Sequence, residues 1–120
     1  MTTMSVTLLS RLWLAFDGGD ATAVPQFSRS LAMERANALG ATATVFQIGS
    51  GGSISLVVEG SNDQQNWMGL GEILVLGAVG SSEAQLGNIT TSYIRLSATL
   101  SASEEASTAL LAVVIDRQQL

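Results

Sequence analysis

The sequence predicts an all-β fold, a single antiparallel β-sandwich that is jelly-roll-like and has about seven or eight strands. Three observations lead to that prediction. Apolar and polar residues alternate with a period of two in several segments, clusters of glycine and small polar residues separate those segments, and β-branched residues are frequent within them. The chain has 120 residues, the size of one ordinary domain, so we expect residues 1–120 to share one core.

The strands expected in the middle of the chain have one buried face. In SISLVVE, residues 53–59, and SYIRLSATL, residues 92–100, every second residue is apolar, and these inward positions are Ile54, Leu56, Val58, Ile94, Leu96, Ala98 and Leu100. The other candidate strands are SVTLLSRLWLAF at 5–16, ATATVFQIG at 41–49, EILVLG at 72–77, EAQLG at 83–87 and TALLAVVID at 108–116. The GSGG run at 49–52 predicts a hairpin turn between its two neighbouring strands.

The first and last strands are apolar on both faces. In residues 108–116, Leu111, Val113 and Ile115 alternate with a second apolar set. Such a strand either lies under cover in the middle of the sandwich or turns its outer face to another subunit. We therefore predict an interface at these two strands, with the candidate residues Leu110, Ala112, Val114, Leu9 and Trp13. For Trp13, packing inside the core is the alternative.

Two segments before residue 41 are less regular. Residues 17–27, DGGDATAVPQF, hold two glycines and the one proline of the chain, which predicts a loop or an extended arm. Residues 28–40, SRSLAMERANALG, contain good helix formers, yet a period of two places Leu31 and Met33 on one face. Tertiary context overrides propensity in short segments, so strand or irregular extended structure is favoured over a helix there.

A polar turn followed by a lone tryptophan marks residues 58–71, VEGSNDQQNWMGLG. Glu59 ends a strand, residues 60–66 supply Ser, Asn and Asp side chains that bond their own backbone in turns, and Trp67 starts the return strand. This pattern predicts a hairpin with an aromatic anchor. We expect Trp67 to fill the core, and a platform on which a sugar stacks is the alternative.

The hairpin also resembles a known family. EGSNDQQNW is similar to the Ser-x-Asp-Gly-x-x-Trp hairpin of discoidin-type β-sandwiches, and SYIRL is similar to the Tyr-x-Arg strand that follows it there. Small β-sandwich proteins of tailed-phage virions and related bacterial particles show a similar pairing. The resemblance implies a β-sandwich in which the matching residues hold the hairpin, and it carries over no ligand residue. This chain departs from the family at Gln64, where glycine is usual. The matching residues are Glu59, Ser61, Asn62, Asp63, Asn66, Trp67, Tyr93 and Arg95.

The charged residues suggest structural roles before chemical ones. Oxygen atoms of Glu59, Asp63 and Asn66 are weak candidates for Ca²⁺ ligands, but Asp and Asn in such clusters more often serve the turn itself. Arg95 lies on the outward face of its strand, where a carboxylate such as Glu59 or Glu72 could pair with it. The adjacent Glu104 and Glu105 are expected at an exposed loop tip, and no cofactor is expected.

Composition removes several classes of function. The net charge is -5 with no lysine, which offers little to a phosphate backbone, so no nucleic acid is expected as a partner. The chain has no histidine and no cysteine, and no arrangement of nucleophile, base and oxyanion donors is apparent, so we do not expect an enzyme. Neither a membrane-spanning run nor a signal peptide is evident. A virion or the cytoplasm is the expected location.

Only 12% of the residues are charged, about half the usual share, and 47% are hydrophobic. Low charge and two-faced apolar strands are typical of proteins with permanent interfaces. The sequence therefore predicts a structural assembly subunit, a virion protein of capsid, decoration or tail type or a particle or filament protein. It associates with itself or with other particle proteins through its terminal strands. The alternative is a discoidin-like glycan-binding module with Trp67 or Tyr93 as the stacking ring.

Overall fold

The computed structural model describes residues 3–16, 24–49, 51–101 and 107–119, without the side chains of residues 3–11 and 16. These ranges contain nine strands and no helix. The strands are β1 Thr3–Phe16, β2 Gln26–Phe27, β3 Leu31–Ala32, β4 Ala38–Ile48, β5 Ser53–Ser61, β6 Met68–Leu76, β7 Gly80–Leu86, β8 Tyr93–Ser101 and β9 Ser107–Gln118.

The strands form two antiparallel sheets that pack as a sandwich. The terminal sheet, named for its first and last strands, has the order β1-β9-β4-β7. The hairpin sheet has the order β2-β8-β5-β6, and β3 also pairs with β8. Strands β5 and β6 form a hairpin within one sheet, whereas the chain passes from one sheet to the other at each connection from β6 to β9. The predicted antiparallel sandwich is confirmed.

The core lies between the sheets and is built by alternation along the long strands. The inward residues of β5 and β8 meet those of β4 and β9, and each of the largest is almost fully buried. Burying one Leu or Ile side chain contributes about 1.5–3 kcal/mol, so this layer is the main source of stability. The predicted inward sets are confirmed, and their buried members include Ile54, Leu56, Val58, Ile94, Leu96, Ala98, Leu100, Leu111, Val113 and Ile115.

Arg117 closes one end of this core. It occupies the inward position of β9 after Ile115 and is buried, with its side chain only 10% exposed. Its Nη1 atom donates a hydrogen bond of 2.6 Å to the carbonyl oxygen of Ala32 in β3 and lies 3.9 Å from a carboxylate oxygen of Glu34. The guanidinium therefore joins the terminal sheet to the hairpin sheet, since β9 and β3 belong to different sheets.

The irregular segments before β4 are extended, as expected. Residues 28–40 contain no helix; they form β3, a turn at Glu34 and the start of β4, with Leu31 and Met33 both buried. The predicted arm at 17–27 is partly wrong, because Gln26–Phe27 pairs with β8. Residues 17–23 of that arm lie outside the described residues. The two-residue strands β2 and β3 raise the total above the predicted seven or eight, since segments so short leave no periodic signal.

The GSGG run at 49–52, of which Ser50 lies outside the described residues, does not close a hairpin. Strand β4 belongs to the terminal sheet and β5 to the hairpin sheet, so this turn carries the chain from one sheet to the other. Gly51 has a φ of 74°, and the backbone N–H of Gly52 donates to the carbonyl oxygen of Gly49. A tight glycine turn is compatible with either connection, which explains why the sequence pattern did not distinguish them.

No helix in the described ranges is long and apolar enough to cross a membrane.

Candidate functional site

The turn between β5 and β6 is held by its own side chains. The Ser61 hydroxyl accepts hydrogen bonds from the backbone N–H groups of Asp63 and Gln64, at 3.2 and 2.9 Å, and donates one to Asp63 Oδ1 at 2.9 Å. Asp63 Oδ1 also accepts from the backbone N–H groups of Gln65 and Asn66, at 2.9 and 2.8 Å. These hydrogen bonds join side chains and backbone of the same turn.

Two further contacts fix the turn against its surroundings. Asn62 Oδ1 accepts a hydrogen bond of 2.9 Å from the backbone N–H of Ser92, just before β8. The hydroxyl of Ser30 donates to Gln64 Oε1 at 2.6 Å from the segment between β2 and β3. Tyr93, at the start of β8, is the register partner of Ser61, and its carbonyl oxygen accepts from the Thr91 hydroxyl. The turn is therefore attached to the strand next to its own hairpin.

Gln64 takes the backbone conformation that glycine would take. Its φ is 60°, in the left-handed region, which glycine enters without steric cost and other residues enter at about 1–2 kcal/mol. A glutamine at this position therefore adds backbone strain to the turn. The Ser30 hydrogen bond to the Gln64 side chain is available only because a glutamine stands here.

Each side chain proposed as a weak Ca²⁺ candidate has a hydrogen-bond partner within the protein. The backbone N–H groups of Asn66 and Gln65, then the Asn66 amide and the Ser61 hydroxyl, hold the pKa of Asp63 well below its usual range. Asp63 Oδ2 accepts from the Asn66 side-chain nitrogen at 2.7 Å, and Glu59 binds an arginine. Among the described residues, no three His, Cys, Asp or Glu side chains are grouped so that they could hold a metal ion.

The outer face of the hairpin sheet carries an aromatic stack, which we define as Phe27, Arg95 and Trp67. The Arg95 Cζ atom lies 4.0 Å from the ring centroid of Phe27 and 4.4 Å from that of Trp67. Arg95 Nε donates to Glu59 Oε1 at 2.7 Å, and the two side chains are 23% and 21% exposed. The planar guanidinium thus contacts both rings and a carboxylate at once.

The prediction that Trp67 fills the core is wrong. Its side chain is half-buried on the outer face, against Arg95. Trp67 directly precedes β6, and its side chain lies on the same side of the sheet as the outward residues of β5 and β8. The choice between Glu59 and Glu72 is settled by register, since Glu59 lies directly opposite Arg95. Glu72 instead accepts a hydrogen bond of 2.6 Å from the Ser55 hydroxyl. Sequence reasoning missed Phe27, whose two-residue strand gave no signal.

The outer face of the terminal sheet is the second surface of interest. We define the terminal face as Trp13 of β1, Phe46 of β4 and Leu110, Ala112 and Val114 of β9. Trp13, Phe46 and Val114 are 57%, 43% and 36% exposed, respectively, and the other two are half-buried. The structure thus places the predicted interface residues of β9, together with Trp13, on one outward face.

The side chain of Leu9, also predicted at this interface, lies outside the described residues, as do Glu104 and Glu105. Packing in the core, the alternative for Trp13, is wrong, since more than half of its surface is exposed and it stands beside Leu110 in the register of β1 and β9. Phe46 was not predicted in this set. It lies at the bulge where the register of β4 on β9 shifts between Val45 and Gln47.

The terminal face changes character along its strands. Trp13 and its register partner Leu110 lie at one end of the face. At the other end of β9 the outward residue is Asp116, whose register partner on β4 is Gly40. A hollow of about 110 Å³ opens over that glycine, which we call the Gly40 hollow. The remaining outward residues around it are polar or acidic: Thr42, Glu83, Gln85, Asp116 and Gln118.

Comparison with known proteins identifies similar folds only. No family model matches the chain, and no curated protein matches it. A structure of infectious bursal disease virus, Gx strain, matches 98% of this chain and 32% of that chain, with a TM-score of 0.61 and 10% sequence identity. The VP2 subviral particle of the same virus matches 98% of this chain and 33% of that chain, with a TM-score of 0.60 and 8% identity.

A smaller protein is similar over most of both chains. The prophage-derived protein YomS matches 95% of this chain and 93% of that one, with a TM-score of 0.48 and 8% identity. The chain spans about a third of the length of the two viral chains named above. At these identities the likeness to the viral structures shows that the chain shares their β-sandwich fold, and the resemblance to discoidin-type sandwiches stays a prediction.

Proposed function

We propose that this chain is a structural assembly subunit that associates through its terminal face with copies of itself or with other particle proteins. The particle is a virion, in its capsid, decoration layer or tail, or a bacterial particle or filament. The proposal gives the chain no catalytic role, and its location is the virion or the cytoplasm in which the particle forms.

The observation that carries the proposal is the 57% exposure of Trp13 beside the apolar outward residues of β9. Contiguous exposed apolar surface on a protein marks an interaction site, and aromatic residues are enriched in interface centres. The five residues of the terminal face carry no charge, so burying them in an interface does not remove water from a charged side chain among them. The shared fold with the VP2 subviral particle supports the proposal at the level of architecture.

Light scattering of the purified protein, with negative-stain microscopy of the same fraction, tests the proposal. We expect a mass greater than that of one chain, and we expect Val114→Glu to lower it by placing a carboxylate in the contact. The matched control is Val75→Glu, which adds the same charge to an exposed valine of the hairpin sheet. A single-chain mass at every concentration, or an assembly that both variants leave intact, would contradict the proposal.

A second candidate function, glycan binding, is favoured by the aromatic stack. Phe27 is 47% exposed, and Trp67 presents a partly exposed ring beside the polar side chains of Arg95 and Glu59. Aromatic rings with a few fixed polar groups are the usual elements of small-ligand sites. One face of Trp67 is occupied by Arg95, so a sugar would stack on the remaining surface of the indole.

A glycan array followed by tryptophan fluorescence titration tests this candidate. We expect binding that Trp67→Ala removes and Trp13→Ala retains, because the two indoles lie on opposite outer faces of the sandwich. A silent array, or binding that is unchanged in Trp67→Ala, would eliminate the aromatic stack as a glycan site.

A further inference from the structure

Three outward residues lie side by side across the hairpin sheet, and we call them the Gly69 row: Gly69 of β6, Glu59 of β5 and Arg95 of β8. Glu59 is the register partner of both other residues. Neighbouring strands are about 4.8 Å apart, so the row spans about 10 Å of the outer face. The rings of Phe27 and Trp67 contact Arg95, which makes the row and the aromatic stack one continuous surface.

The glycine end of this row is open. A Cβ built on Gly69 would have no described atom within 4 Å, although Glu59 is its register partner. The φ of Gly69 is not positive, so its backbone does not require glycine. Gly60 of β5 differs, because a Cβ there would lie 2.5 Å from the Thr91 hydroxyl oxygen. Gly69 is thus not needed for packing, and its missing side chain leaves an open space in the surface, which we call the Gly69 notch.

Arg95 and Glu59 retain hydrogen-bonding groups for a ligand. Arg95 Nε donates to Glu59 Oε1 at 2.7 Å. Among the described residues, no group is hydrogen-bonded to Arg95 Nη1, Arg95 Nη2 or Glu59 Oε2, and none of these three atoms is buried. The ion pair and the two rings fix the guanidinium, so these groups are held in place before a ligand binds. The row therefore presents two donor nitrogens and one acceptor oxygen beside an aromatic surface.

The charges of the row favour an uncharged ligand over an anion. Arg95 and Glu59 compensate each other, so a ligand carboxylate near the guanidinium would also meet the carboxylate of Glu59. Glu72, opposite Val57 in the register of β6 and β5, is a further carboxylate on this face. A hydroxyl group both donates and accepts, and adjacent hydroxyls match a donor and an acceptor held side by side. This is the arrangement of hydroxyls on a sugar ring.

We infer that the Gly69 notch and the aromatic stack form one binding site for a neutral sugar, a sugar ring that carries no carboxylate or sulfate group. The inference rests on the glycan-binding candidate and names the class of its ligand. One hydroxyl accepts from a terminal nitrogen of Arg95, and its neighbour donates to Glu59 Oε2. The ring occupies the open space at Gly69, two residues along the chain from the Trp67 indole.

A glycan array followed by calorimetric titration tests the inference. The array carries neutral oligosaccharides of glucose, galactose, mannose and xylose beside oligosaccharides of galacturonic acid and sialic acid. We expect signals on neutral probes, and the strongest of these is the probe for titration. Raising NaCl to about 0.5 M should change its affinity less than about twofold, since binding an uncharged ligand neutralises no charge.

Gly69→Leu fills the notch without removing the ion pair or either ring. We expect it to bind the neutral probe at least about tenfold more weakly. The matched control is Gly87→Leu, at an exposed glycine after β7 whose Cβ also has no described atom within 4 Å and whose φ is not positive. It should bind like the wild type. Urea unfolding verifies that each variant is folded, and Gly69→Ala, with a smaller side chain, replaces Gly69→Leu if that variant unfolds.

Glu59→Gln tests the charge argument. The variant keeps the shape of the side chain and an oxygen for Arg95 Nε, so its nitrogen replaces the Oε2 acceptor. It also leaves the positive charge of Arg95 without its carboxylate. We expect about tenfold weaker binding of the neutral probe and a new signal on the galacturonic acid probes. A purely structural role of Glu59 would lower the stability without creating a preference for acidic sugars.

The outcomes separate the inference from the glycan-binding candidate. Signals confined to acidic probes, or neutral binding that Gly69→Leu leaves unchanged, overturn the inference while glycan binding itself stands. The same holds if Glu59→Gln keeps the wild-type preference and affinity. A silent array overturns both the inference and the candidate, and it leaves assembly through the terminal face unaffected.

Discussion

On the hairpin sheet, the rings of Phe27 and Trp67 lie against the guanidinium of Arg95, while on the terminal sheet Trp13 is 57% exposed. Both outer faces thus carry aromatic side chains, and they differ in what covers them. On the first face an arginine of the same chain contacts both rings and is paired with a carboxylate. The second has apolar neighbours beside its indole and an acidic hollow at its far end.

The difference separates side chains that stabilise one copy from side chains available to a partner. The aromatic stack connects β2, β8 and the turn before β6, so its interactions are already made when a single chain folds. The terminal face leaves part of its apolar surface in water, and covering that surface by another molecule is favourable. Stability measurements on single chains and mass measurements on assemblies should therefore respond to different residues.

The largest expected effect on the stability of one chain is at Arg95. Replacing it by alanine removes two cation–π contacts and an ion pair and leaves the Glu59 carboxylate without its arginine. Because both charged side chains are about one-fifth exposed, we count the ion pair at no more than about 1 kcal/mol. We expect Arg95→Ala to lower the free energy of urea unfolding by about 2–3 kcal/mol in total.

Arg95→Lys is the matched control, because it keeps the charge and loses the planar group that meets both rings. We expect it to recover less than half of the lost stability. A loss below about 0.5 kcal/mol in Arg95→Ala would show that the aromatic stack does not hold the hairpin sheet together.

The two tryptophans allow the same substitution on the two faces. Trp67→Ala removes a half-buried ring and its contact with Arg95, so we expect a loss of about 2 kcal/mol in the free energy of urea unfolding. Trp13→Ala removes a largely exposed ring, and at a concentration where the chain is monomeric we expect a change within about 0.5 kcal/mol. Equal losses in the two variants would remove the distinction between the faces.

The sequence predicted the layers of this sandwich better than its surfaces. Alternation in residues 53–59 and 92–100 identified the inward residues, since apolar side chains on one side of a strand must lie in the core. The same reasoning does not say which side of an all-apolar strand faces out. In β9 the answer depends on the opposite sheet, which covers Leu111 and leaves Val114 outside.

The hairpin residues were predicted as a group because turn chemistry is local. Ser61, Asp63 and Asn66 lie within six positions, and their hydrogen bonds join neighbours in the sequence. The aromatic stack depends instead on contacts distant along the chain. Phe27 meets Arg95 only because β2 pairs with β8, a pairing of two residues that periodicity does not reveal.

A smaller effect, of opposite sign, is expected at the strained turn residue. Gln64→Gly relieves a left-handed backbone that costs about 1–2 kcal/mol, and loses the Ser30 hydrogen bond and some rigidity of the unfolded chain. We expect a net stabilisation of about 0.5 kcal/mol by urea unfolding. Gln65→Gly is the matched control, since its φ is not positive, and it should destabilise the turn by about 0.5–1 kcal/mol. Equal effects of both variants would mean that the strain at residue 64 is negligible.

The smallest expected effect is a pH dependence at Asp63, whose carboxylate accepts from four groups of its own turn. Because its pKa in the folded chain lies below the ordinary value of 3.8, the unfolded chain binds more protons between those two pH values. The stabilisation from this carboxylate is therefore fully present above about pH 5 and is lost as the pH falls through 3.8 toward the lower folded pKa.

Asp63→Asn removes this titration and keeps the shape of the side chain. We expect its melting temperature to lie below that of the wild type at about pH 7, and the gap to narrow by about pH 3 as the wild-type advantage is lost. Asn66→Ala, which keeps Asp63 and removes one of its donors, should show a weaker dependence of the same sign. If the gap is the same at both pH values, the hydrogen bonds of the turn do not favour the charged carboxylate, and the stability of the hairpin then depends on the aromatic stack rather than on the turn.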